Sequence, residues 1–133
     1  MTSPKPPTPE DYAEAAALRE ALRRFQRSSD EIAEANGMTS RTYQLLLMVK
    51  TARGGAERAR LNELEARLQL GKSTITELVA RSEKRGLVRR ELDRDRPGAI
   101  FVRLTPSGER RLAKMLVELG DERARLVGML RPA

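Results

Sequence analysis

Residues 61–108 read LNELEARLQLGKSTITELVARSEKRGLVRRELDRDRPGAIFVRLTPSG, and the order of elements in this stretch decides the fold. Leu61, Leu64, Leu68 and Leu70 recur at helical spacing, so a short helix is expected to end near Gly71. From Lys72 the pattern is helical again. Ile75, Leu78, Val79 and Ser82 share one side, Ser73, Glu77, Ala80 and Lys84 point away from it, and Gly86 closes the element. Two short, partly β-branched runs follow, Leu87–Leu92 and Ala99–Leu104. Between them lies Asp93-Arg94-Asp95-Arg96-Pro97-Gly98, a charged turn, so the three pieces read as a β-hairpin. Thr105-Pro106 then supplies an N-cap and a proline at the first helical position, with Glu109 in the first turn.

Upstream, Arg53–Arg60 (RGGAERAR) reads as a loop. Before it, Thr39 or Ser40 caps a helix through Val49 whose apolar density implies burial. Residues 10–36 form a long amphipathic helix marked by Leu18, Leu22, Phe25, Ile32 and Ala33, with Asn36-Gly37 as its stop. Residues 1–9 (MTSPKPPTP) read as a Pro-rich disordered tail. Downstream, residues 106–131 form a final helix bearing Leu112, Met115, Leu116, Leu119, Leu126, Met129 and Leu130, with a bend at Gly120. The expectation is a mainly α fold with a small two-stranded β-wing.

The 133 residues suffice for one domain with long helical arms. His and Cys are both absent, which removes imidazole bases, thiolate nucleophiles, Cys/His zinc sites, disulfides and thiol-based redox sensing. Gly71-Lys72-Ser73 matches the end of a phosphate-binding loop, but position 66 is Ala where that loop needs Gly, and the preceding segment is helical. No enzyme and no cofactor are expected. The longest strongly apolar run, Leu45–Val49, is too short to span a bilayer, so no membrane partner and a cytoplasmic location are expected.

The formal charge is +7, from 26 basic and 19 acidic residues. Residues 58–111 hold 14 of the basic and 8 of the acidic ones, so +6 of the surplus belongs to one middle segment. An acidic polymer is therefore the first partner to consider. Aromatic residues make up only 3% of the chain, which disfavours single-stranded nucleic acid, whose bases stack on exposed rings.

Helix, turn, helix, hairpin, helix is the order of a winged helix-turn-helix. Double-stranded DNA explains its parts, since the major groove admits one helix and a charged hairpin beside it can reach phosphates or the next minor groove. The strings at residues 64–76 (LEARLQLGKSTIT), 83–90 (EKRGLVRR) and 104–108 (LTPSG) resemble the MarR (multiple antibiotic resistance regulator) family of bacterial transcription factors. The layout of residues 10–131 is similar too. The resemblance implies a homodimeric repressor on a pseudo-palindromic operator, with residues 10–36 and 106–131 as dimerisation helices and 39–105 as the DNA-binding unit. Carried over by position, Lys72, Ser73, Thr74 and Thr76 begin the recognition helix, Glu77, Arg81 and Lys84 lie further along it, and Arg94 or Arg96 is the wing arginine. Leu18, Leu22, Phe25, Leu112, Leu116, Leu119 and Leu126 are the expected dimer contacts, although the same stripes would also close a monomer's core. A small-molecule effector between the arms and the winged lobe would alter the spacing of the recognition helices, with Tyr12, Arg41, Tyr43 and Phe25 as candidate lining. Ordinary core packing is the competing account of those aromatics. Two other functions fit the same residues: a non-specific architectural DNA binder, and a protein-interaction module that keeps the fold, for which Glu77 and the acidic wing residues speak.

Overall fold

The computed structural model describes residues 3–131; residues 1 and 2 of the expected tail lie outside them. Helix α1 spans Pro9–Ala35, so the tail ends at Thr8. Thr8 closes a capping box: its hydroxyl accepts the Asp11 N–H at 3.2 Å and its own N–H donates to the Asp11 carboxylate at 2.8 Å. The helix stops at Asn36-Gly37, where Gly37 takes φ +73°, and the Met38 and Gly37 N–H groups bond to the Ala33 and Glu34 carbonyls. That pairing satisfies carbonyls the helix end would otherwise orphan. Helix α2 (Ser40–Lys50) is capped by Thr39, which accepts the Thr42 N–H. Leu45, Leu46 and Val49 of α2 have no exposed surface, which makes it the centre of the core.

The helix-turn-helix follows as α3 (Leu61–Leu68) and α4 (Lys72–Lys84). Helix α3 ends before Gly71, at a left-handed Gln69 (φ 55°), and Gly71 serves instead as the N-cap of α4. Leu64, Ile75, Leu78 and Val79 bury their side chains against α2 and the sheet. Helix α4 terminates as α1 does, with Gly86 at φ +75° and Leu87 N–H bonded to the Ser82 carbonyl.

The sheet corrects the sequence reading. Strands β2 (Val88–Leu92) and β3 (Ile100–Leu104) form the expected hairpin, with Val88 opposite Leu104 and Leu92 opposite Ile100. A further strand, β1 (Arg58–Arg60), lies inside the segment read as a loop and pairs antiparallel with β3, Ala59 opposite Val102. The sheet is thus three-stranded in the order β1-β3-β2, not two-stranded. Ala59 is fully buried, which fixes the register of this short strand.

The final helix also divides. Helix α5 (Pro106–Glu118), capped by Thr105 through the Gly108 N–H at 3.0 Å, gives way at Leu119 to α6 (Gly120–Leu130). Leu119 is 1% and Leu112 4% exposed within the single chain, because both pack into its core with Met115. These two residues, expected as dimer contacts, are core residues of the subunit. Tyr43 is likewise core, and burial raises its pKa, with Arg123 opposing the rise. Among the described residues, no helix is long and apolar enough to cross a membrane.

Candidate nucleic-acid interface

Helix α4 buries Ile75, Leu78, Val79 and Ser82 and presents the opposite side to solvent. Lys72, Ser73, Thr76, Glu77 and Ala80 line one open surface there. Thr74 is half-buried at the edge of this face, and Lys84 is exposed at its far end. Glu77 and Arg81, one turn apart, form an ion pair at 2.7 Å. Lys72 also lines a second concavity of about 290 Å³, shared with Arg60, Asn62 and Glu65 on one side and with Arg96 and Gly98–Ile100 of the wing on the other. The exposed face of α4 therefore continues without a break into the wing. Arg96 lines that concavity and Arg94 does not.

The wing is held by groups the sequence reading missed. Asp93, at the start of the turn, is buried, and its Oδ1 accepts the Asp95 N–H at 2.9 Å while its Oδ2 lies 2.6 Å from the Arg60 guanidinium. Oδ2 receives no aligned N–H, so charge holds that side of the contact. The Asp95 N–H holds the Asp93 carboxyl below its usual pKa, and Arg60 adds to this against the opposing cost of burial. Arg58 and Arg60, two apart on β1, stack on the Phe101 ring with guanidinium carbons 4.1 and 4.4 Å from its centroid. A buried Ala flanked by two arginines, one of them opposite an aromatic, is a weak sequence signal. No tract of three residues can display a period of two convincingly.

The basic surplus of the middle segment divides into two groups. Several of its members are turned into the chain. Arg67 donates to the Met48 and Thr51 carbonyls at 3.0 and 3.1 Å, fastening α3 to the end of α2. Arg90 is held by Glu83 at 2.7 Å, a contact that lowers the Glu83 pKa, and Arg103 by Glu91, also at 2.7 Å. Arg85 and Arg111 donate to the Gly37 and Asn36 carbonyls at the end of α1. By contrast Lys72, Lys84, Arg89, Arg94 and Arg96 are exposed and, among the described residues, make no ion pair. Arg94 and Arg96 are thus not neutralised by their neighbours: Asp93 is committed to Arg60, and Asp95 pairs with neither.

The expected effector lining does not come together. Tyr12 is 66% exposed near the start of α1, Tyr43 is in the core, and Arg41 lines a polar cleft of about 450 Å³ with Gln26, Asp30, Ser40 and Gln44. Phe25 borders a separate crevice between α1 and α6 with Leu126 and Met129. Of the expected dimer contacts, Leu18, Leu22 and Leu116 are 37–39% exposed, and Phe25 and Leu126 are half-buried.

An exposed helix-turn-helix face joined to a β-hairpin, with a helix before and after, defines a winged helix-turn-helix protein. A sequence profile described as MarR family matches residues 36–96, which span the end of α1 through the wing turn. No curated protein matches the sequence. The structure is similar to AbsC, a MarR family transcriptional regulator from Streptomyces coelicolor, with TM-score 0.79 and 22% identity over 97% of this chain and 86% of that one. It is similar also to Sco3205, a MarR family transcriptional regulator from the same organism solved in complex with DNA, with TM-score 0.77 and 25% identity over 98% of this chain and 81% of that one. A mutant MarR from E. coli complexed with operator DNA superposes with TM-score 0.73 at 18% identity, covering 92% and 85% of the two chains. Residues 36–96 thus match the MarR family profile, and the chain has the fold of MarR family transcriptional regulators.

Proposed function

We propose that this protein is a homodimeric, sequence-specific double-stranded DNA-binding regulator of transcription in the cytoplasm, acting as a repressor by occupying a pseudo-palindromic operator. The observation that carries the reading is the continuous surface from Ala80 through Lys72 to Arg96, bearing exposed cations without intrachain partners. Helix α4 offers hydroxyls and charged groups to base edges in the major groove, and Lys72, Lys84 and the wing arginines meet phosphates. Arg96, which lines one concavity with Lys72, is the wing arginine this reading assigns to phosphates beside α4. The structures of Sco3205 and of the MarR mutant with DNA support this use of the fold.

Dimerisation is supported by surface area. A compact monomer of this mass would expose roughly 7000 Å², yet the chain exposes 9500 Å². The excess is of the size that stable homodimers bury. It includes Leu18 and Leu22 of α1, Leu116 and Val117 of α5 and Val127, Met129 and Leu130 of α6, all at least 37% exposed. Residues 10–36 and 106–131 then serve as dimerisation arms and 39–105 as the DNA-binding unit. A small-molecule effector that releases the operator would enter the polar cleft at Arg41, which is lined by residues of α1 and α2.

The test is retention of a randomised duplex library at moderate salt, with the bound fraction sequenced and the protein's mass measured by light scattering in the same sample. The expected result is a dimer and an inverted repeat with half-sites about one helical turn apart. Retention without enrichment would replace the reading with an architectural binder, and no retention with a protein-interaction module.

A further inference from the structure

Glu77 is the anomaly of the DNA-facing surface. It stands on the side of α4 opposite the buried face, with its side chain 71% exposed, where a lone carboxylate would be repelled by every phosphate. It is not alone: the Arg81 guanidinium lies 2.7 Å from its Oε1. As an i,i+4 pair in water, the contact adds a few tenths of a kcal/mol at most to the helix. Its geometry has a second use. One carboxylate oxygen is taken by Arg81, which leaves the other oxygen as a free acceptor and the remaining guanidinium N–H groups as free donors, side by side and with no net charge.

The major-groove edge of a G·C pair presents the complementary order: guanine N7 and O6 accept, and the adjacent cytosine N4 donates. Cytosine N4 and guanine O6 are themselves joined by an N–H···O bond of about 2.9 Å, close to the 2.7 Å between the Glu77 and Arg81 atoms. A closed ring of four hydrogen bonds would then join the two pairs, with Arg81 donating to guanine and Glu77 accepting from cytosine through its free oxygen. Neither orientation of an A·T pair offers two adjacent acceptors followed by a donor, and thymine adds a methyl group beside its acceptor. Ala80, small and on the same open surface, leaves room for the base pair to approach.

We propose that Glu77 and Arg81 act as one reading unit that selects a G·C pair at a fixed position in each half-site, Arg81 cancelling the charge that would otherwise keep Glu77 out of the groove. This rests on the DNA-binding reading above and deepens it by assigning two specificity-determining residues.

The experiment compares the parent protein with Glu77→Gln and Arg81→Ala in the randomised-duplex selection, together with their affinity for a fixed non-cognate duplex and their thermal midpoints. The parent should show an inverted repeat containing one symmetric G·C position. Glu77→Gln should lose roughly 5- to 150-fold of its preference there, moving toward A·T because glutamine pairs with adenine N6 and N7. The other positions should remain unchanged. The same variant should bind the non-cognate duplex more tightly, since a repelled carboxylate is gone, at an unaltered thermal midpoint. Arg81→Ala should weaken binding to both duplexes by leaving Glu77 uncompensated. A parent motif reproduced without change by Glu77→Gln overturns the reading unit and leaves DNA binding standing. A parent that retains no duplex overturns both.

Discussion

Gly108→Ala should destabilise the protein more than any other single methyl addition to its glycines in helices. Gly108 is the third residue of α5, and a Cβ built there would overlap the Leu87 carbonyl oxygen and lie 3.0 Å from its carbon. Both atoms are backbone, so no side chain can turn aside. The helix start must retreat from the base of the wing, and two bonds made there go with it: Thr105 N–H to the Leu87 carbonyl at 3.0 Å, and the Thr105 hydroxyl to the Gly86 carbonyl. At about 1 kcal/mol each, with overpacking of about 1–3 kcal/mol and offset by about 1 kcal/mol of helix propensity gained on leaving glycine, the net loss is about 2–4 kcal/mol. Gly128→Ala in α6 is the control, because nothing lies within 4 Å of its Cβ and only the propensity gain applies. Urea unfolding at one fixed protein concentration, with fixed slope, measures both variants against the parent. If Gly108→Ala moves the midpoint no further than Gly128→Ala does, the close packing of α5 on Leu87 is not what holds the wing base.

Replacing Arg94 and Arg96 together by Ala should lower affinity for the selected duplex and flatten its salt dependence by about one logarithmic slope unit for each phosphate no longer neutralised. Light scattering should report an unchanged dimer. Leu22→Glu with Leu116→Glu should yield a folded monomer that binds the operator weakly, whereas Leu119→Glu, at a position 1% exposed, should unfold the subunit itself. Circular dichroism separates the two outcomes, and a stable dimer in the Leu22/Leu116 variant would contradict the proposed interface. The carboxyls of Asp93, Glu83 and Glu91 all have lowered pKa values, from the Asp95 N–H, Arg90 and Arg103 respectively. Groups whose folded pKa is depressed stabilise the protein fully above the ordinary carboxylate range near about 4. That stability is lost as pH falls through their folded values. Urea midpoints should therefore drop from about pH 7 to about pH 3, and Asp93→Asn should show a smaller drop than the parent.

The helices were legible because period and caps agreed. Thr105-Pro106 and Asn36-Gly37 each combine a residue that starts or stops a helix with the edge of an apolar stripe, and the structure begins or ends elements there. The apolar stripe of the last helix was ambiguous for a physical reason. A helix that packs on its own chain and also leaves an apolar face uncovered carries leucines on both sides, so Leu112 and Leu119 could not be told from Leu116 until burial separated them. Charge behaved similarly. The sequence located the basic surplus in the middle segment, but it could not show that Arg67, Arg90 and Arg103 are spent on carbonyls and carboxylates of the same chain while Lys72, Arg94 and Arg96 are left outward.

Strand β1 was illegible for a different reason, and it is where the wing and the helix-turn-helix become one unit. Its pairing is non-local, and only Ala59 of its three residues is apolar. Yet Arg60 ends this strand, occupies the N-cap of α3, stacks on Phe101 of β3 and faces Asp93 at the wing turn. One residue thus joins the start of the helix-turn-helix to β3 and to the turn that connects it with β2. A wing attached only through the β2–β3 hairpin would swing about its base, because a two-stranded hairpin has little stability of its own. With Arg60 in place, the turn bearing Arg94 and Arg96 is fixed relative to Leu61, and through α3 relative to Lys72. The cleft that joins the two halves of the candidate DNA surface is lined by that same Arg60. The residue is therefore better read as the joint that sets the spacing between major-groove and wing contacts than as one more cation for phosphate.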